Sequence, residues 1–332
     1  MWTTRNIHPN VKLLIGISLT CTLALGGFAR HGSGAEPTIV RVGYGGIAGY
    51  QLPLWVVREA GISRKYGIDV EPLLIAGGAL NMQALVAGSI QMSQNSASSA
   101  IQGAVRGAPI VIIAALENKM PFQIVARAEI KDPQQLKGKR IGILRFGGSN
   151  DTGVQWALKA WNIDPRQVTM LQTGLTAARI IALERGHIDA TILSYPDIYT
   201  VRKLGMNILA DIGDFSSYPN TCLMVTRSLL EKQRTLVKNL LRSYIEAIHY
   251  IRTNREGSIR ILTKYLKVND HEAVEATYDF LSRRMERLPR TDPEGIKNIL
   301  QEMGAPQKNA SDFFDPSLLD EIENEGFLQK LR

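Results

Sequence analysis

The chain has 332 residues, 39 Lys and Arg against 31 Asp and Glu, a formal net charge of +8, and two cysteines. An apolar content of 45% excludes a fully disordered protein, and 29 Gly and 14 Pro without a period exclude collagen-like and low-complexity classes. Two cysteines can build neither a disulfide framework nor a four-cysteine zinc site.

Arg5 and Lys12 precede the uncharged run Leu13 to Ala29, and Ser33-Gly34-Ala35 follows with small residues. A basic head, an apolar middle and a small-residue exit predict a secretory signal peptide over 1–35, cleaved after Ala35. The apolar run is interrupted by Ser18, Thr20 and Thr22 and falls short of the roughly 20 residues a membrane anchor needs. Lipidation at Cys21 is the other alternative, and Ser18-Leu19-Thr20 matches it poorly. The mature protein is therefore expected outside the cytoplasmic membrane. Three basic residues and no acid lie in this segment, so part of the +8 belongs to the leader. Cys222 remains, inside the apolar run Thr221 to Val225, as a packed and inert thiol.

From Glu36 onward, strand and helix signals alternate. Ile39 to Tyr44 reads as a strand ending in Gly45-Gly46, followed by a helix from about Pro53 to Gly61. A strand at Ile68 to Ile75, a helix at Leu80 to Ala87 and a strand at Ile90 to Gln94 come next. Ser96 to Arg106 is a small-residue helix, and Ile110 to Leu116 is an unbroken apolar strand, as in a buried parallel sheet. The pattern restarts with strands at Phe122 to Ala126 and Arg140 to Leu144 and a helix at Thr152 to Trp161. It continues with a strand at Val168 to Leu171, a helix at Ala177 to Arg185 and a strand at Ile188 to Leu193. After Thr226 the chain reads as helical to its end. Repeated strand–helix units predict parallel sheets covered by helices.

Catalytic signals are thin. His187, His249 and His271 have no second ligand at a metal spacing, and there is no nucleophile elbow or phosphate-binding loop. Gly43-Tyr44-Gly45-Gly46-Ile47-Ala48 fits a dinucleotide fingerprint formally, but the next strand ends without the acid that would hold a ribose. The stronger signal is four polar or glycine-rich junctions between a strand and the next helix: residues 45–51, 76–81, 94–99 and 147–152. In a parallel sheet these fall at the carboxyl ends of the strands, where backbone N–H groups at helix starts suit anionic or polar ligand atoms. The alternative is that Ser96, Ser149 and Asn150 simply cap their own helices.

Three segments carry a resemblance. They are Glu59-Ala60-Gly61 through Glu71, then Asp132-Pro133 through Leu136-Lys137-Gly138-Lys139-Arg140-Ile141-Gly142, then Ala182 through Ala190. Together they resemble the periplasmic substrate-binding proteins of ABC importers, of the nitrate/sulfonate/taurine and thiamine-precursor type. The resemblance implies an α/β, two-lobed type II periplasmic-binding-protein fold: two mostly parallel sheets with flanking helices, joined by two hinge strands. It implies lobe 1 at 36–124 plus 224–332 and lobe 2 at 125–223. Phe122 to Ala128 would be the outgoing hinge and Thr221 to Thr226 the returning one.

By position the resemblance places Gly46, Tyr50, Asn81, Ser96 and Ser98 on one wall of a ligand cleft. Ser149, Asn150 and Asp151 face them, with Tyr195 near the hinge. Tyr50, Phe146, Tyr195 and Tyr218 could stack on a flat ligand, or pack in the core. Asp151 would repel an anion if it faced the cleft and would be harmless if it capped its helix. The expected protein is a monomeric solute receptor without cofactor or metal, partnered by a membrane permease. Its rivals are a sensing receptor without a transporter and, remotely, a pyrimidine-precursor synthesis enzyme. Nucleic-acid binding would need a basic stripe with interleaved aromatics, and the sequence has none.

Overall fold

The structure, a computed structural model, describes residues 36–331. The expected signal peptide and its cleavage site lie outside the described residues.

The chain runs β1 (Thr38–Tyr44), α1 (Leu52–Glu59), β2 (Ile68–Leu74), α2 (Gly78–Val86), β3 (Met92–Asn95), α3 (Ala97–Val105), β4 (Ile110–Ala115). It then crosses to β5 (Gln123–Ala126), β6 (Arg140–Ile143), α4 (Ser149–Ala160), β7 (Thr169–Gln172), α5 (Thr176–Glu184), β8 (Ala190–Leu193), α6 (Asp197–Lys203) and β9 (Asn207–Asp211). It returns through β10 (Cys222–Thr226) to the helices α7 (Arg227–Lys232), α8 (Arg234–Thr253), α9 (Arg255–Leu266), α10 (His271–Ser282), α11 (Pro293–Glu302), α12 (Ser317–Asn324) and α13 (Phe327–Lys330).

These strands form two five-stranded sheets, ordered β2-β1-β3-β10-β4 and β7-β6-β8-β5-β9. In each, one strand runs against the other four. β10 is antiparallel to β3 and β4, and β5 is antiparallel to β8 and β9. Both exceptions are the strands on which the chain enters a sheet from the other lobe. β2, β3, β4, β7, β8 and β9 arrive by helical crossovers, which keep them parallel. β5 lies wholly in the second sheet and β10 wholly in the first, so the chain passes between lobes at 116–122 and 212–221.

α8 shows why the C-terminal helices belong to the first lobe. Val237, Leu240, Leu241, Tyr244, Ile245, Ile248 and Ile251 recur at helical spacing, and all are buried in one core with β1, α1 and Trp55. Each such Leu or Ile contributes roughly 1.5–3 kcal/mol of burial. A second core spans the crossing, joining Ile112 and Met224 of the first sheet to Ile124, Ile143 and Ile192 of the second. The crossing is thus packed, not a loose linker. Cys222 is fully buried there, and burial pushes its thiol well above the ordinary range.

Two elements escape sequence reading, α6 and the edge strand β9. A third begins early: α4 starts at Ser149, not Thr152.

Candidate functional site

The carboxyl ends of β1, β3, β6 and β8 face one cavity between the lobes. Gly45 to Ala48, Tyr50-Gln51, Gly77-Gly78 and Gln94 to Ser96 line it from the first lobe. Leu144-Arg145, Gly148 to Asn150, Leu175-Thr176, Arg179 and Ile192 to Ser194 line it from the second. It encloses about 50 Å³, room for a few water molecules or one small solute group.

Four helix N-termini point into this space, and none has a side-chain cap. Gly77 before α2, Ser96 before α3, Gly148 before α4 and Leu175 before α5 all lack a side-chain hydrogen bond to the first turn. The capping alternative therefore fails. Ser96 turns its hydroxyl to Ser98 and Ser99, at 3.1 Å each. Ser149 and Asn150 lie inside α4, not ahead of it. Uncapped N-termini carry orphan N–H donors and the positive end of the helix dipole.

Arg179 is the residue that sequence reading missed. It is 4% exposed, lines the cavity, and has no ion-pair partner among the described residues. Its Nε donates to the Gly174 carbonyl at 3.1 Å, Nη1 to the Thr191 hydroxyl at 3.4 Å and to the Ile192 carbonyl, and Nη2 to the Thr176 hydroxyl at 3.0 Å. One Nη2 N–H is left over from the five of a guanidinium. Burial pulls its pKa down to about 10. The available signal was its position: a cation in the first turn of α5 opposes the helix dipole and needs a reason to be there. Arg179 and Arg145 are the only charged residues lining the cavity among the described residues.

Of the expected site residues, Gly46, Tyr50, Ser96, Ser149 and Asn150 line the cavity, and Asn81, Ser98, Asp151 and Tyr195 do not. Asn81 is fully buried, its Nδ2 donating to the carbonyls of Ile75 at 2.5 Å and Gly77 at 3.0 Å, so it braces the loop before α2. Ser98 is buried inside α3 beside Ser96. Asp151 accepts the Gly147 N–H at 2.8 Å, because the early start of α4 rotates it off the cavity face. The Tyr195 ring packs on Phe280, centroids 4.9 Å apart, and its carbonyl accepts the Gly49 N–H at 3.2 Å, a link between lobes.

The expected aromatic wall also shrinks. Phe146 is 49% exposed and Tyr218 is fully buried against Trp156. Tyr50 remains, edge-on to Phe122 at 5.7 Å, and both line the cavity. Burial pushes the Tyr50 hydroxyl up to about 12, against the pull of Arg179, so it stays protonated and can donate.

Residues 50–257, which build most of these two helix-flanked sheets and their cleft, match a family model described as NMT1/THI5 like. The chain belongs to this NMT1/THI5-like family. A Brucella abortus (strain 2308) protein described as a binding protein is 28% identical over 279 residues, 80% of this chain and 83% of its own. A Brachyspira hyodysenteriae protein described as a periplasmic binding protein of an ABC transporter is 23% identical, covering 93% of this chain and 92% of its own. Among solved structures, the alkanesulfonate-binding protein SsuA from Xanthomonas axonopodis, bound to MOPS, superposes with a TM-score of 0.72 at 18% identity. That match covers 85% of this chain and 99% of SsuA. At that identity it shows the fold, the two-lobed α/β architecture of periplasmic binding proteins. The relatives and the solved structure named here are all described as binding proteins.

Proposed function

We propose that the chain is the extracytoplasmic solute receptor of an ABC importer, capturing a small organic anion between its lobes and delivering it to a membrane permease. The observation that carries the ligand class is a cavity lined, among the described residues, by no acidic side chain, and holding a buried Arg179 that forms no salt bridge beside four uncapped helix N-termini. A buried cation without a salt-bridge partner is costly, and an anion seated against it lowers that cost. The family and the ABC-transporter relative support the receptor role. The SsuA–MOPS structure supports an oxyanion headgroup such as a sulfonate.

On this reading the lobes divide ahead of β5 and ahead of β10, a few residues before the expected bounds at 124/125 and 223/224; export uses the leader cleaved after Ala35, and the mature protein acts as a monomer. Gly46, Tyr50, Ser96, Ser149 and Asn150 contact the ligand beside Arg179. Asn81 and Ser98 support that wall.

Isothermal titration of the mature protein against small sulfonates, carboxylates, phosphate and neutral analogues tests the ligand class. Anions should bind and matched neutral or cationic molecules should not. Tight binding of a neutral or cationic solute, unaffected by loss of Arg179, would overturn it.

A further inference from the structure

Arg145 belongs to the second lobe, in the loop that follows β6, yet its closest partners lie in the first. Its Nε donates to the carbonyl of Ala76 at 3.0 Å. Its stem lies against Gly77, where an added Cβ would stand 2.5 Å from Cδ and 3.2 Å from Cγ. Gly77 has φ +85°, a conformation that favours glycine, so one residue both turns the chain and leaves room for the arginine. The next residue, Gly78, has a different duty: a Cβ there would meet the Ser99 hydroxyl, holding α2 close to α3.

The fit is reciprocal. Two residues beyond Arg145, Gly147 (φ +74°) sits where a Cβ would come within 2.4 Å of the Gln102 amide oxygen of the first lobe. The loop 145–147 therefore packs against the first lobe at two points, each at a glycine whose positive φ favours it. Exposed pairs elsewhere on the rim also span the lobes, such as Lys203 with Asp270 at 2.8 Å. Such exposed surface pairs are individually weak and carry no information about the cavity.

Arg145 differs because it lines the cavity. Nε is committed to Ala76, while Nη1 and Nη2 have no hydrogen-bond or ion-pair partner among the described residues. A guanidinium offers five donors in a fixed plane, so one edge can hold the Ala76 carbonyl while the other holds an oxyanion. Arg179 cannot play this part. All of its protein partners, Gly174, Thr176, Thr191 and Ile192, are in its own lobe.

We propose that Arg145 is the residue that couples anion capture to lobe closure: it spans the cleft to Ala76 and Gly77 and offers its free Nη edge to the bound anion. This rests on the anion-receptor reading above. Arg179 then supplies affinity within one lobe, and Arg145 makes affinity depend on the two lobes coming together. A lysine could replace its charge but not its fork, since an ammonium has no fixed edge to divide between carbonyl and anion.

The test uses the mature protein carrying one spin label on each lobe, as wild type, Arg145→Ala, Arg145→Lys and Arg179→Ala. Pulsed electron resonance reads the closed fraction, with no added solute and with methanesulfonate, MOPS or inorganic phosphate. Titration calorimetry reads affinity for the same three anions. Arg145→Ala should lower the closed fraction and weaken the best-bound anion at least tenfold. Arg145→Lys should keep part of the affinity but close no better than Arg145→Ala. Arg179→Ala should lose affinity while keeping the solute-free closed fraction of wild type. If none of the three anions binds wild type, the anion-receptor reading fails, and the solute-free closed fractions still decide the role of Arg145. Equal closed fractions in wild type and Arg145→Ala overturn the proposal, as does full closure in Arg145→Lys.

Discussion

Helices begin in two different ways in this molecule. Around the cleft, α2, α3, α4 and α5 start without a side-chain cap. In the C-terminal half, α7, α9, α10 and α11 are capped by the side chains of Thr226, Asn254, Asp270 and Asp292, while α8, α12 and α13, away from the cleft, start without one. A cap satisfies the first-turn donors permanently and is worth about 0.5–2 kcal/mol. An uncapped start gives up that stability and keeps its donors for something else. Four such starts converging on one cavity, beside a buried arginine that forms no salt bridge, mark where the chain gives up stability for binding.

The largest expected effect comes from removing that cation. Arg179→Met keeps the length of the side chain and deletes the charge. Anion affinity should fall by about 2–5 kcal/mol, the usual cost of truncating one partner of a buried charge pair. Calorimetry reads the loss, and a melting curve checks that the fold survives. Retained affinity would mean that the helix starts alone hold the ligand.

A cap can also be built where the cleft lacks one. Gly148 has φ −106° and ψ 177°, and a Cβ there would meet nothing closer than the Arg145 carbonyl at 3.7 Å. Gly148→Asp should therefore fold without strain and cap α4, stabilising by a few tenths of a kcal/mol relative to Gly. The same carboxylate enters an acid-free cavity, and anion affinity should drop tenfold or more through like-charge repulsion. Stability and affinity should move in opposite directions. The mirror experiment is Asn254→Ala, which removes the acceptor that holds the Gly257 N–H at 2.9 Å. It should cost about 1 kcal/mol in thermal or denaturant unfolding and leave affinity unchanged.

The sequence carried the alternating strands, the all-helical end and the strand–helix junctions, because each is a local pattern of apolar spacing and glycine. The short edge strand β9, Asn207–Asp211, has polar residues at both ends and only half-buried positions between, so it leaves no such pattern. The start of α4 was misplaced because Ser149, Asn150 and Asp151 read equally well before a helix as within its first turn. That offset decided their roles: Ser149 and Asn150 reach the cavity and Asp151 turns away from it. Arg179 was hidden for a different reason. Its partners come from the loop before α5 and from β8, and only the fold brings them around it. Sequence reading located the junctions, and tertiary contact chose the side chains that count.

The smallest expected effect concerns pH. Asp197 opens α6, one more helix start without a side-chain cap. Burial pushes its pKa up to about 6 from an ordinary 3.8, against the pull of Arg179. A carboxyl raised in this way stabilises the fold in its protonated form. That contribution is complete below the unfolded value near 4 and is lost as pH rises through about 6. The bound anion should respond in the same direction. Below about pH 5 Asp197 is neutral and Arg179 faces the ligand alone. Above about pH 7 an ionised Asp197 shares that charge and opposes a second anion nearby. Affinity for methanesulfonate, whose own charge is constant over this range, should therefore fall a few-fold between pH 5 and pH 8. Asp197→Asn should flatten the profile near its low-pH level. A wild-type profile that is already flat would mean that the Asp197 charge does not reach the ligand, leaving the cleft an electrostatic unit of two arginines and four helix starts.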